Sequence, residues 1–196
     1  MARPRTHDEA LRLRLLDRAG ELLSAEGAKA LSLRKLAAEV GTSTTAVYSL
    51  FGSKLDLVNA LFVEGFRRFG ARMAGVETTG DVAEDLVRLG LAYRESALAD
   101  PHLYTIMFTQ AVPGFEPGDD AAELALGTLR PLRDLVTAGI EAGVFRDVDP
   151  DVMTMSAWGL AHGLVSLEVS GSQPDTFDFG GAYETALRMN VRGWLA

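Results

Sequence analysis

Apolar residues return every three or four positions along almost the whole chain, and no stretch sustains the alternation of a half-buried strand. The pattern predicts an all-α fold. A first helix is expected from near Asp8, with Leu11, Leu15, Ala19 and Leu22 along one face and Gly27 at its end; Thr6 and Glu9 have the spacing of a capping box. A second, short helix follows Ser32, placing Leu33, Leu36, Ala37 and Val40 on one stripe before Gly41 closes it. Ser43 then caps a third short helix to about Leu50, with Val47, Leu50 and Phe51 facing inward, and Gly52 stops it. Ser53 and Asp56 open a longer amphipathic helix through Leu55, Val58, Phe62, Phe66 and Phe69 to about Met73.

Residues 75–80, GVETTG, read as a connector to a helix over 81–99, and Asp100–Pro101 places an N-cap and a first-turn proline before the next. Residues 111–120, with two prolines and two glycines, read as a loop. A helix over about 121–142 should be kinked or split by Pro131, because a proline inside a helix removes a hydrogen bond and clashes with the preceding turn. Asp149–Pro150 opens an apolar helix to about Val169, and a last helix covers roughly 179–195. The sum is about nine helices.

The 196 residues carry a net charge of −8, which argues against a nucleic-acid partner when taken whole. Divided, it reverses. Residues 1–73 hold 12 Lys/Arg against 8 Asp/Glu, a net of +4, and the remainder carries −12. The absence of cysteine excludes disulfides, thiolate metal sites and a thiol nucleophile. There is no Glu-x-x-His metal pair, glycine-rich phosphate loop or serine elbow, so no catalytic residue, metal or cofactor is expected. No apolar run approaches the ~18 residues needed to span a bilayer, and the first residues lack a signal peptide's apolar stretch. The expectation is a cytoplasmic protein without a membrane partner.

The segment Ser32–Lys54, SLRKLAAEVGTSTTAVYSLFGSK, has two short helices joined by a glycine turn and braced by the helix before them, the helix-turn-helix arrangement. Such a unit projects the polar face of its second helix into a major groove about 12 Å wide. With the Glu26–Gly27 step and SKLDLVNALF after it, the segment resembles the DNA-binding domain of the tetracycline-repressor-like (TetR) family of bacterial regulators, densest over about residues 8–66. AWGLAHGLVSLE, Ala157–Glu168, is similar to a W-x-x-x-H-G segment in the C-terminal ligand domain of one branch of that family.

The resemblance implies a three-helix DNA-binding domain over residues 1–52 and an antiparallel helical bundle for ligand binding and dimerisation over 53–196. It places Thr44, Thr45 and Tyr48 against bases or phosphates, Ala46 against a thymine methyl, and Arg34 within reach of a base or phosphate. Lys54 would meet a phosphate at a helix N-terminus, and Ser32 and Ser43 would cap helices and touch phosphate. Leu50 stands where many members of the family carry His or Tyr, and two roles stay open for it, packing or touching a thymine methyl. Two alternatives stay open: Tyr48 bracing the domain core, and Arg34 paired with Glu39 or another carboxylate. Arg3 and Arg5 could form a DNA-touching arm or simply a solvated tail.

By the same resemblance, Phe62, Phe66, Tyr93, Tyr104, Phe108, Trp158 and His162 would line a pocket for a small organic effector of unknown identity. Each has plain core packing as its alternative. The last two helices would form a homodimer interface, with Leu160, Leu164, Leu167, Leu187, Val191 and Trp194 as members and the Gly159/Gly163 step allowing close approach. A twofold dimer would bind a palindromic operator in double-stranded DNA. The function so implied is an effector-released repressor. A regulator with no effector, and a helical-bundle enzyme using His162, are the competing classes.

Overall fold

The computed structural model describes residues 8–29, 31–109, 112–172, 176 and 178–196, together with the backbone of 5–7. Among these residues every regular element is an α-helix: α1 Arg5–Glu26, α2 Leu33–Val40, α3 Thr44–Phe51, α4 Lys54–Ala74, α5 Val82–Ala99, α6 Pro101–Phe108, α7 Asp119–Gly127, α8 Arg130–Glu141, α9 Pro150–Val169 and α10 Phe179–Arg192. The all-α expectation holds. α1 begins three residues earlier than its apolar stripe indicates, and the expected Thr6 cap and the Arg3/Arg5 arm fall outside the described side chains.

The expected helix over 121–142 is two helices. Pro131 sits in the first turn of α8, where its missing N–H has no intrahelical acceptor to lose, so the break falls just before it. Aspartates cap three of the later helices, Asp149 being the one announced by the sequence. Asp81 Oδ1 accepts from the N–H groups of Ala83 and Glu84 at the head of α5, Asp149 from Asp151 N in α9, and Asp178 from Gly181 N in α10. Asp100 occupies the N-cap position of α6 but makes no side-chain cap bond.

The chain forms two compact units. The first runs to Arg67 and takes in Asp100–Ala125; the second is Arg68–Ala99 with Leu126–Ala196. In the first, α1 packs on α2 and α6, and α2 on α3, around Leu15, Leu16, Leu22, Leu36, Val47 and Leu57. Gly20 makes the α1–α6 approach possible, since a Cβ there would lie 2.5 Å from the His102 ring. In the second, α5, α8, α9 and α10 pack together around Val136, Phe145, Met153, Val165 and Tyr183. Gly139 leaves room for the Phe145 ring, and Gly90 for Leu187. No single helix among the described residues is long and apolar enough to cross a membrane; α3 and α4 would qualify only as a pair, bent by 62° between them.

Candidate nucleic-acid interface

The two short helices are set by caps at both ends. Ser32 Oγ accepts from Lys35 N at 3.5 Å, and Gly41, at φ +72°, turns the chain while its N–H donates to the last α2 carbonyls. Ser43 Oγ then accepts from Ala46 N at 3.1 Å, satisfying one of the free donors at the head of α3. Val47 and Phe51 are buried against α2 and the rest of the unit, which fixes the rotation of α3 about its axis. The opposite face is left open. Ser43, Thr45, Tyr48 and Ser49 are exposed, and Thr44, Ala46 and Leu50 are half-buried. Tyr48 shows 53% of its surface, so it does not brace the core.

Leu50, expected to face inward, sits on the edge between the buried and open faces. The reason is angular: at 100° per residue it lies 60° from Val47 and 100° from Phe51, so it borders the core stripe rather than joining it.

Charges around this face are sorted by ion pairing. Arg18 bridges Glu39 at 2.8 Å and Glu21 at 2.7 Å, and Lys35 binds both oxygens of Glu26 at 2.9 Å. Glu39 and Glu21 hold the Arg18 guanidinium above its ordinary pKa, chiefly through those hydrogen bonds. Arg34 is exposed on the first turn of α2 and makes no ion pair among the described residues; the Glu39 partner considered for it belongs to Arg18.

Lys54 stands at the head of α4, one residue past Ser53, whose hydroxyl accepts from Asp56 N at 3.1 Å. Its ammonium is engaged. Nζ donates to the carbonyl of Ala28 at 2.5 Å, tying α4 to the turn between α1 and α2. The sequence offers no signal for this contact, because it depends on where the chain after Gly27 passes.

The seven expected effector residues fall into two groups. In the first unit, Phe62 and Phe66 stack tilted with centroids 4.8 Å apart, Phe108 meets Phe66 at 5.6 Å, and Tyr104 meets Phe108 at 5.0 Å. Phe115, in the segment expected to be a loop, joins this cluster at 6.0 Å from Phe62. In the second unit, the Tyr93 hydroxyl and His162 Nδ1 are 2.9 Å apart, Ser166 Oγ lies 3.5 Å from His162 Nε2, and the Trp158 ring is 5.4 Å from the imidazole. Ser166 was missed, although its i+4 spacing from His162 could have flagged it. Burial pushes the His162 pKa below its ordinary value, which favours the neutral ring.

Beside this group Arg94 forms a bidentate pair with Glu168 and lies over the Tyr183 ring at 5.7 Å. Two open grooves lie elsewhere. One of about 510 Å³ is bordered by Asn59, Val63, Asp119, Asp120 and Leu124, the other of about 610 Å³ by Arg72, Val76, Arg88, Leu91 and Glu95.

The expected interface members on the last helices divide. Leu187 and Val191 are buried inside their own unit, since Tyr183, Leu187 and Val191 recur every four residues and form the stripe of α10 that faces the core. Leu160, Leu164 and Trp194 are half-buried, and Leu167 is exposed. The exposed apolar side chains are instead Val152, Met155 and Leu167 on α9 and Met189 on α10, with Gly159 and Gly163 on the same α9 face opening onto space.

Comparison with known proteins agrees with this architecture. An HTH-type transcriptional regulator of Mycobacterium tuberculosis is 28% identical over 153 residues, covering 74% of this chain; the chain spans 65% of that relative's length. A protein of unknown function from Rhodococcus sp. RHA1 superimposes with a TM-score of 0.81 at 28% identity, covering 95% of this chain and 96% of the other. The transcriptional regulator FadR of Bacillus subtilis, solved in complex with stearoyl-CoA, shares the fold with a TM-score of 0.78 at 21% identity, covering 92% of this chain and 98% of that one. The family model for bacterial regulatory proteins of the tetR family matches residues 15–61, and that for the tetracyclin repressor-like C-terminal domain matches residues 86–189. A capped helix-turn-helix followed by a helical body, matched by family models at both ends, makes this chain a member of the TetR family of bacterial regulatory proteins.

Proposed function

We propose that the protein is a homodimeric transcriptional repressor that binds a palindromic operator and is released from it by a small organic effector. The observation that carries this reading is the open polar face of α3, held outward by its Ser43 cap and its buried Val47/Phe51 stripe. On this reading residues 1–52 bind DNA through Ser32, Arg34, Ser43, Thr44, Thr45, Ala46 and Tyr48, Lys54 adds a contact from the head of α4, and residues 53–196 otherwise sense and dimerise. The protein then works where the DNA is, in the cytoplasm.

Dimerisation is assigned to the α9 and α10 face carrying Val152, Met155, Leu167 and Met189, because exposed apolar groups on one face are costly in water and gain by mutual burial. Effector contacts are assigned to Phe62, Phe66, Tyr104 and Phe108 in the one unit and to Tyr93, Trp158 and His162 in the other. That FadR, with the same fold, was solved with stearoyl-CoA supports a body able to take a small molecule. An effector acts only through a difference in affinity between two conformations. α4 is the natural carrier of that difference, as it begins at Lys54 and bears Phe62 and Phe66.

The test is to recover bound fragments from a random-sequence duplex pool and titrate them by fluorescence anisotropy. Thr45→Ala and Tyr48→Ala should each weaken the recovered duplex by about tenfold or more, the scale of one lost base contact, while light scattering still reports a dimer. Unchanged affinity in both variants would refute the assignment.

A further inference from the structure

The segment from the α3 cap to the α3 stop, Ser43–Gly52, reads STTAVYSLFG and contains no Arg, Lys, His, Asn, Gln, Asp or Glu. This restricts what a helix in the major groove can read. Discrimination by paired hydrogen bonds uses Arg or Lys on guanine, Asn or Gln on adenine, and Asp or Glu on cytosine. None of these can come from α3. Hydroxyls serve donors and acceptors alike and discriminate weakly.

The disposition of the remaining groups follows from the helix geometry and the observed burial. Thr45 and Ser49 stand in the middle of the open face, Tyr48 flanks them on one side, and Ala46 and Leu50 flank them on the other. The centre is hydroxyl and the flanks are carbon. In the major groove the only base substituent that rewards contact with carbon is the C5-methyl of thymine. Neighbouring cations add little that could replace it, since Arg18 and Lys35 are held by Glu39, Glu21 and Glu26. Arg34, exposed on α2, is free to meet a guanine or a phosphate and acts independently of α3.

Resting on the reading that α3 enters the major groove, we infer that this protein recognises its operator chiefly through thymine methyl groups, packed against the Ala46, Tyr48 and Leu50 flanks of α3. The half-site is therefore thymine-rich where α3 lies. Leu50 is then a specificity residue, its edge position leaving part of its side chain to cover a methyl.

The experiment compares thymine with uracil, which pairs identically and lacks only the methyl. The full chain is titrated with a duplex recovered from the random-sequence pool, synthesised once with thymine and once with uracil. Burial of one methyl-sized group corresponds to about fourfold in affinity, so two contacted methyls in each of two half-sites give a loss of about two hundredfold. Single uracil substitutions should map the loss to the α3 positions. Tyr48→Ser and Leu50→Ser should weaken the thymine duplex and lower the thymine-to-uracil ratio, whereas Arg34→Ala should weaken both duplexes alike. Tyr48 is exposed, so its variant keeps the fold even if Leu50→Ser does not.

Equal binding of the two duplexes would overturn the inference while leaving the regulator reading intact. So would a ratio left unchanged in the Tyr48 variant, the result expected if methyl groups acted through DNA stiffness. Recovery of no bound sequence at all would overturn the regulator reading itself.

Discussion

Replacing Lys54 by Met separates two roles that one ammonium can hold. In the free protein Nζ donates to the Ala28 carbonyl at 2.5 Å in a half-buried setting, and methionine keeps the apolar stem while removing the donor. A hydrogen bond to a charged group contributes about 1.5–3 kcal/mol, and partial exposure puts this one near 1.5. For a chain of this size that loss lowers the melting temperature by about 3–6 °C.

An ammonium has three N–H groups, so the bond to Ala28 leaves two for a phosphate. If Lys54 also meets one, the slope of log K against log salt shrinks by about 0.9 per contact, or about 1.8 for a dimer on two half-sites. Both quantities come from the same protein preparations, by calorimetry and by anisotropy across a salt series. A variant melting within about 1 °C of the parent would refute the clasp between α4 and the α1–α2 turn. An unchanged salt slope with a lowered melting temperature would make Lys54 purely an internal anchor.

Gly20→Ala places a Cβ 2.5 Å from His102 Cδ2, so overpacking of about 1–3 kcal/mol outweighs the roughly 1 kcal/mol gained from helix propensity. In a His102→Ala background the clash is gone and Gly20→Ala should stabilise by up to about 1 kcal/mol; the same sign in both backgrounds, read by thermal unfolding, would contradict the packing argument. His162 has its pKa lowered by burial, so the unfolded chain takes up the proton first as pH falls. Stability is then untouched well above pH of about 6.5 and declines as the pH drops through that value toward the folded pKa. Denaturant titrations between pH 8 and 5 should show a shallower acid decline in His162→Gln than in the parent, and identical declines would count against a half-buried, neutral ring.

Much of the local structure was legible because it depends on neighbours in sequence. Ser43, Ser53 and Asp149 cap the helices that their positions announce, and Gly27, Gly41 and Gly52 end helices at positive φ, where other residues are strained. The candidate DNA face was legible for the same reason: the apolar stripe of α3 defines the polar one opposite. Periodicity was less informative on α10. There Leu187 and Val191 fit a dimer face as well as a core stripe, and the position of Gly90 on α5 decides the matter by receiving Leu187. Family resemblance and chemical type together point to the effector residues, but neither carries the distances that divide them into two clusters.

The sequence by itself determined that the chain is helical, where most helices begin and end, and that a neutral, hydroxyl-rich α3 follows a glycine turn, because capping and periodicity act over three or four residues. Tertiary structure alone decided which cations are engaged inside the protein: Arg18 with Glu39, 21 residues away, and one N–H of Lys54 with Ala28, 26 residues away. It also decided that Gly20 is a contact and that Gly159 and Gly163 are openings. Such pairings join residues distant along the chain, and their partners exist only once the helices have packed.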